Sequence, residues 1–132
     1  MGLRQLIGKL FGSTRDMVQL EGVNGVDGSE DPDEQVRNQL RAAGANLEKA
    51  THTLFYIYAA TEAGANRIAQ AVTDSRLDAE VRPAAVGTGW LCLAQGELVP
   101  ALDVLKSYRS KFEALAAAEG GEYDGWEAAV TE

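Results

Sequence analysis

Few of the residues that perform covalent chemistry occur in this chain, and they stand far apart. His52 is the only histidine and Cys92 the only cysteine among 132 residues. A Cys–His nucleophile needs the two side chains within hydrogen-bond reach and a third group that orients the histidine. The strands predicted around these two residues would be neighbours, but no acid stands at a spacing suited to orienting His52. We therefore expect a core cysteine, a histidine at a strand end and no enzyme activity.

The sequence patterns that could bind a cofactor or a metal are incomplete or wrongly placed. One histidine and one cysteine fall short of a zinc ligand set. Gly87-Thr88-Gly89 resembles a fragment of a phosphate loop, but it precedes a predicted strand and no lysine follows. Asp27, Asp31 and Asp33 do not match a calcium loop, because their spacing is wrong and the glycine at the sixth loop position is missing. We predict no catalytic residue, no cofactor and no metal.

Composition points to one acidic globular domain. Hydrophobic residues make up 45% of the chain, and 12 basic against 20 acidic residues leave a net charge of −8. This charge is a poor match for direct nucleic-acid binding. An acidic surface suits a basic protein partner, although solubility alone would also explain it.

Cellular location is inferred from the cysteine count and the apolar runs. A single cysteine excludes an intramolecular disulfide. No apolar run approaches the roughly 20 residues of a membrane-spanning helix, and the N-terminus lacks a secretory pattern. We expect a cytoplasmic protein without stable membrane insertion.

Residues 1–30 are predicted to form a flexible N-terminal extension. Between residues 3 and 11 the apolar side chains have helical spacing, and Arg4 and Lys9 point elsewhere. Such an amphipathic segment can touch a membrane surface or a partner groove. Nine residues are too few for a stable isolated helix, so we expect this one to dock on its own domain or to fray. Residues 12–30, rich in glycine and acids, are interpreted as a linker.

Residues 31–132 carry the pattern of a folded α+β domain. Asp31-Pro32-Asp33-Glu34 has the N-cap, the N1 proline and the N3 acid of a capping box, and it predicts a leading helix. A strand at 51–59, a helix after Thr61 and an edge strand at 77–82 are predicted next. A strand at 88–95, which like that at 51–59 is apolar on both faces, follows. A helix after Pro100 and a short terminal strand complete the pattern.

This order, β-α-β-β-α-β after an additional N-terminal helix, is typical of a ferredoxin-like sandwich. Its first and third strands would be central, with both helices on one side of the sheet. The other face stays uncovered unless the leading helix or a partner lies across it. There the alternation places Asp78, Glu80 and Glu127, with Arg82, at the edges of a partly aromatic centre. We predict Asp78, Glu80 and Glu127 as partner-binding residues.

The C-terminal run Gly120-Gly121-Glu122-Tyr123-Asp124-Gly125-Trp126-Glu127 is the most specific motif of the chain. The glycine pair predicts a helix end. Tyr123 to Gly125 predict a turn, and Trp126 predicts a buried anchor on the last strand. This run resembles the C-terminal signature of the ribonuclease E inhibitor family, known as regulator of ribonuclease activity B (RraB). The resemblance extends over roughly residues 32–132 and includes Phe55-Tyr56 and Thr88-Gly89-Trp90.

The resemblance implies a non-catalytic protein with a ferredoxin-like sandwich. It further implies binding to the scaffold region of ribonuclease E and a lowering of that enzyme's activity, with ribonuclease E or a similar basic protein as the partner. No family binding residue transfers by position. The alternative is a ferredoxin-like regulatory or ligand-binding module with a different protein partner. Aromatics on central strands also occur on RNA-binding platforms, but the RNA-recognition signature is missing and the charge is wrong.

Overall fold

A computed structural model describes residues 6–8 and 31–132 of the chain. These residues form one antiparallel sheet and three helices. In chain order the elements are β1 (Leu6–Gly8), α1 (Pro32–Ala42), β2 (Thr51–Ala59), α2 (Glu62–Asp74), β3 (Asp78–Pro83), β4 (Trp90–Leu98), α3 (Leu102–Ala118) and β5 (Tyr123–Ala129). The predicted α+β class, the element order and the leading helix are confirmed.

The strand order of the sheet is β1-β5-β2-β4-β3, and every neighbouring pair is antiparallel. Strands β5, β2, β4 and β3 form the ferredoxin-like arrangement, with the two strands that are apolar on both faces in the middle. The alternating strand β3 lies at one edge, as predicted, and its last residue is Pro83.

Strand β1 corrects two expectations from the sequence. Leu6–Gly8 lie within the segment predicted as an amphipathic helix, but they form a strand that pairs with Glu127–Ala129. The spacing of apolar residues in so short a segment does not decide its conformation, because an available sheet edge supplies backbone partners. Consequently β5, predicted as an edge strand, has β1 beside it. The rest of residues 1–30, including the predicted linker, lies outside the described residues.

Local capping explains where two of the helices begin. The Asp31 side chain accepts a hydrogen bond from the Asp33 amide at 2.8 Å, so the predicted N-cap is confirmed. Glu34 turns to Arg37 (Nη1–Oε1 2.5 Å) rather than back to the cap. Thr61 caps α2 by accepting from the Gly64 amide at 3.0 Å.

The main core lies between the sheet and the helices. Phe55 of β2 contacts Tyr108 and Phe112 of α3, with ring centroids 5.1 and 5.2 Å apart. Leu40 of α1 and Trp126 of β5 belong to the same cluster. All three helices therefore cover one face, and α1 does not cross the opposite one.

The C-terminal motif forms the helix end but not the predicted turn. Gly120 has a φ of 73°, as suits a helix C-terminus, and a Cβ on Gly121 would lie 1.9 Å from the Tyr58 carbonyl oxygen. Tyr123–Gly125, predicted as a turn, belong to β5. Gly125, with a φ of 98°, lies where the register between β2 and β5 shifts, so its positive φ serves a bulge within the strand.

A buried ion pair joins α1, α3 and β5. The fully buried Asp33 carboxylate accepts from Arg109 Nη2 at 2.7 Å, from Arg109 Nε at 3.0 Å and from Trp126 Nε1 at 3.0 Å. The hydrogen bonds from Arg109 to the Asp33 carboxylate raise the pKa of the Arg109 guanidinium above its ordinary value. The Arg109 guanidinium carbon also lies 5.5 Å from the Tyr123 ring centroid. Tyr123 and Trp126, both in the C-terminal motif, thus contact the Asp33–Arg109 pair. The buried position predicted for Trp126 is confirmed.

Candidate protein-binding face

The sheet face opposite the helices carries the residues that the sequence singled out for partner binding. Cross-strand partners point to the same face of a sheet, so the register identifies its members. One row runs Glu127–Leu54–Gln95–Asp78 across four strands. The next two rows are Tyr56–Leu93–Glu80 and Tyr58–Leu91–Arg82. We call this surface the open face.

The centre of the open face is apolar and aromatic. Leu54, Leu91 and Leu93 form a second hydrophobic cluster, separate from the main core, and each is less than a tenth exposed. Tyr56 and Tyr58 pack against these leucines and are half-buried. The predicted partly aromatic centre therefore exists, and it consists of leucine and tyrosine.

Two of the three predicted partner-binding residues lie together at the β3 edge. Asp78 and Glu80 are exposed and stand two positions apart on β3. The Glu80 carboxylate pairs with Arg82, with Oε2 and Nη2 2.9 Å apart and about half of each side chain exposed. An exposed pair of this kind contributes little to stability, so its replacement by another contact would cost the fold little.

The third predicted residue, Glu127, occupies the predicted face but is buried rather than exposed. It is 4% exposed, and its Oε2 accepts a hydrogen bond from the Tyr56 hydroxyl at 3.2 Å. Burial is the main cause that raises the pKa of the Tyr56 hydroxyl to about 12, and the Glu127 carboxylate adds to it. Three strand spacings, about 14 Å, separate Glu127 from Asp78. The three carboxylates thus flank the apolar centre and do not form one cluster.

Glu97 is an acidic residue of the open face that the sequence analysis missed. It pairs with His52 in the ladder, its side chain is 64% exposed, and its Oε2 lies 3.9 Å from His52 Nδ1. The sequence pattern predicts a strand that ends at Gln95, whereas β4 continues to Leu98. The polar alternation of Gln95 and Glu97 against Leu98 was the signal that could have found it.

His52 and Cys92 do not meet. Cys92 pairs with Ile57, five positions along β2 from His52, and the two side chains point to opposite faces of the sheet. Burial raises the pKa of the Cys92 thiol to about 11, which disfavours the reactive thiolate. The arrangement of these two residues provides no nucleophile–base pair.

Within residues 6–8 and 31–132, no three His, Cys, Asp or Glu side chains are grouped so that they could hold a metal ion. Over the same residues, no helix has the length and apolar character needed to cross a bilayer.

Comparison with known proteins identifies the family. The family model for RraB, regulator of ribonuclease activity B, matches residues 30–128, which include all of α1, β2, α2, β3, β4 and α3 and most of β5. No curated protein and no solved structure matches the chain. Because the matched region is most of the chain, this protein belongs to the RraB family of regulators of ribonuclease activity.

Proposed function

We propose that this chain binds a basic segment of the scaffold region of ribonuclease E and lowers the enzyme's activity by occupying that segment. The family match supports regulation of a ribonuclease. The choice of ribonuclease E rests on the resemblance of the C-terminal motif to the inhibitor family. Such a partner would be met in the cytoplasm.

The acidic rim of the open face is the observation that carries this proposal. Asp78, Glu80 and Glu97 stand exposed beside the apolar centre, and Glu127 lies at its other side. Arg82 and His52 are the basic residues of the same rows. Among the described residues of this face, carboxylates therefore outnumber basic groups, and the centre of the face offers leucine and tyrosine contacts. A basic segment with interspersed apolar residues complements both features.

Inhibition by occupancy requires no chemistry from this chain. His52 and Cys92 lie on opposite faces, and the buried Cys92 thiol is held in its neutral form. Reduced ribonuclease activity would then follow from the loss of a scaffold surface that the enzyme or its partners need.

Charge reversal on β3 tests the proposal. Binding of the full chain to the purified scaffold region of ribonuclease E is measured at ionic strengths of about 0.01 M and 0.15 M. The double substitution Asp78→Lys, Glu80→Lys should weaken binding by about tenfold at low salt, mainly through slower association, and reduce the salt dependence. Thermal melting should stay near that of the parent, because both side chains are exposed.

A matched control separates local contact from net charge. Glu48 and Asp74 are exposed and lie in the α1–β2 loop and at the end of α2. Glu48→Lys, Asp74→Lys changes the net charge from −8 to −4, as the β3 double substitution does. We expect it to weaken binding much less. Equal losses in the two variants, or no loss in the β3 variant, would contradict the assignment of the open face.

A further inference from the structure

Strand β1 occupies the outer edge of β5. Leu6, Ile7 and Gly8 pair antiparallel with Ala129, Ala128 and Glu127, which are three of the seven residues of β5. A sheet edge presents backbone N–H and C=O groups that can pair with any extended chain. The position of β1 therefore shows that this edge accepts an added strand.

The part of β5 that pairs with β1 is also paired with β2 on its other side. Ala128 pairs on its other side with Thr53 of β2, a fully buried residue in the centre of the domain. Ala128 and Ala129 are 0% and 3% exposed. Because β2 holds β5 independently of β1, an added strand meets an edge that is already formed, and this lowers the entropic cost of binding.

The segment that contains β1 is basic and apolar, unlike the rest of the chain. Residues 1–13 include Arg4 and Lys9, and the first acidic residue is Asp16. A segment of this composition is opposite in sign to the chain as a whole, whose net charge is −8. Its composition is of the type that the open face would favour in a partner.

The register also specifies one position of an incoming strand. Gly8 stands opposite Glu127 and, as a glycine, offers no side chain to the cross-strand pair. An arginine or lysine at that position would stand beside the Glu127 carboxylate, and directly opposed unlike charges stabilise antiparallel pairs. The edge of β5 is continuous with the open face through Glu127, which lies in the same row as Leu54.

We propose that the outer edge of β5 is a strand-addition site for an extended, basic and apolar peptide segment, and that β1 is the chain's own competing occupant. The inference deepens the proposed function, on which it rests for the identity of the partner. Because β1 is tethered, it competes at a high effective concentration, and an external segment binds only by displacing it. Strand β1 is then an intramolecular competitor that weakens partner binding.

Proline substitutions in β1 release the edge in the full chain. Neighbouring N–H groups of a strand point to opposite sides, so only one of the two substitutions Ile7→Pro and Gly8→Pro removes a donor that faces β5. The other variant is the matched control. Hydrogen exchange at the amides of residues 127–129 identifies which variant has released β1.

The probe is a fluorescein-labelled synthetic peptide with the sequence of residues 1–13, measured by anisotropy. We expect the releasing variant to bind it about tenfold more tightly than the parent chain does. A peptide carrying Gly8→Arg should bind more tightly still, and Glu127→Gln in the protein should remove that additional gain. Glutamates in place of Arg4 and Lys9 of the peptide should weaken binding.

Three outcomes would overturn the inference. Faster exchange at residues 127–129 without any gain in peptide binding would show that the edge is no acceptor. Unchanged exchange in both proline variants would show that β1 does not hold the edge. A dimer detected by light scattering and dissolved by the peptide would make a second copy of the chain the natural occupant.

Parallel binding of the ribonuclease E scaffold region separates this inference from the proposed function. If the scaffold region binds the parent and the releasing variant equally, the proposed function stands and strand addition fails. If the releasing variant captures the peptide but neither protein binds the scaffold region, the strand acceptor stands and the proposed partner is wrong.

Discussion

The Trp126 indole nitrogen donates a hydrogen bond to the Asp33 carboxylate across 3.0 Å, although 93 residues separate them in the chain. Asp33 lies in the first turn of α1 and Trp126 on the last strand. Arg109 completes the group with two hydrogen bonds to the same carboxylate. The first helix and the last strand of the domain are thereby joined by one buried charge pair, so Trp126 of the C-terminal motif stabilises the fold.

Truncation of Trp126 should destabilise the domain strongly. The side chain is 2% exposed, and loss of a buried tryptophan costs about 3–5 kcal/mol. Trp126→Phe keeps most of the apolar contact but loses the hydrogen bond to a charged acceptor, for which we expect about 1.5–3 kcal/mol. Urea denaturation of both variants measures these losses.

Trp90→Phe is the matched control, because Trp90 is only half-buried. We expect a smaller loss there. A double-mutant cycle of Trp126→Phe with Asp33→Asn should show coupling, since both changes affect the same hydrogen bond. Additive losses in that cycle would mean that the indole anchors the strand through packing alone.

Gly121→Ala should be far more destabilising than Gly125→Ala. A Cβ at Gly121 would lie 1.9 Å from the Tyr58 carbonyl oxygen, so β2 and the end of α3 would have to separate, at about 3 kcal/mol. At Gly125 the space is open and the cost is that of a positive φ, about 1–2 kcal/mol. Melting temperatures of the two variants give the comparison, and equal shifts would refute the close approach.

The stability of the domain should fall at high pH partly through Tyr56. Burial and the Glu127 carboxylate raise its pKa from 10.0 to about 12 in the folded protein. Between these two values the unfolded tyrosine has lost its proton and the folded one has kept it, so the free energy of unfolding decreases as the pH rises. Below that window the protonated hydroxyl is present in both states and this dependence vanishes.

Tyr56→Phe should therefore flatten the decline in stability between pH 10 and 12. A residual slope is expected, because burial also raises the pKa of Tyr123. Denaturation at a series of pH values for the parent and Tyr56→Phe measures the difference. Identical slopes would place the Tyr56 hydroxyl in water.

Deleting residues 1–30 should leave a domain that unfolds cooperatively. Helix α1 has its own N-cap at Asp31, and the buried core residues that the structure describes run from Leu40 onward. The pairing of β1 is lost, for which we expect a fall in melting temperature of less than about 8 °C. Calorimetry decides the matter. Loss of a single cooperative transition would make the extension part of the core and move the domain boundary.

Much of the fold could be predicted from local patterns. Strand β2 has the predicted bounds, and Asp31 and Thr61 cap their helices, because period-2 alternation and capping chemistry are short-range signals. The three-residue strand β1 could not be predicted, since its conformation depends on the distant edge of β5. Gly125 was misinterpreted because a turn and a β-bulge both require positive φ.

The sequence predicts which face of the sheet the candidate residues occupy, but not how exposed they are or what they contact. Alternation placed Asp78, Glu80 and Glu127 on one face, as the ladder has them. It could not indicate that Tyr56 reaches over to Glu127, or that Arg109 pairs with Asp33, 76 residues away. Such contacts depend on register and helix placement, which a single sequence does not encode locally.

The central claim is that ribonuclease activity falls because this chain occupies a scaffold segment and performs no chemistry. One titration tests it most directly: the full chain is added to purified ribonuclease E, and RNA cleavage and complex formation are recorded together at low and at physiological salt. We expect inhibition to follow the bound fraction at both salt concentrations and to need stoichiometric amounts of this chain. Full inhibition by an amount far below that of the enzyme, or inhibition that persists when salt has dissociated the complex, would contradict the claim.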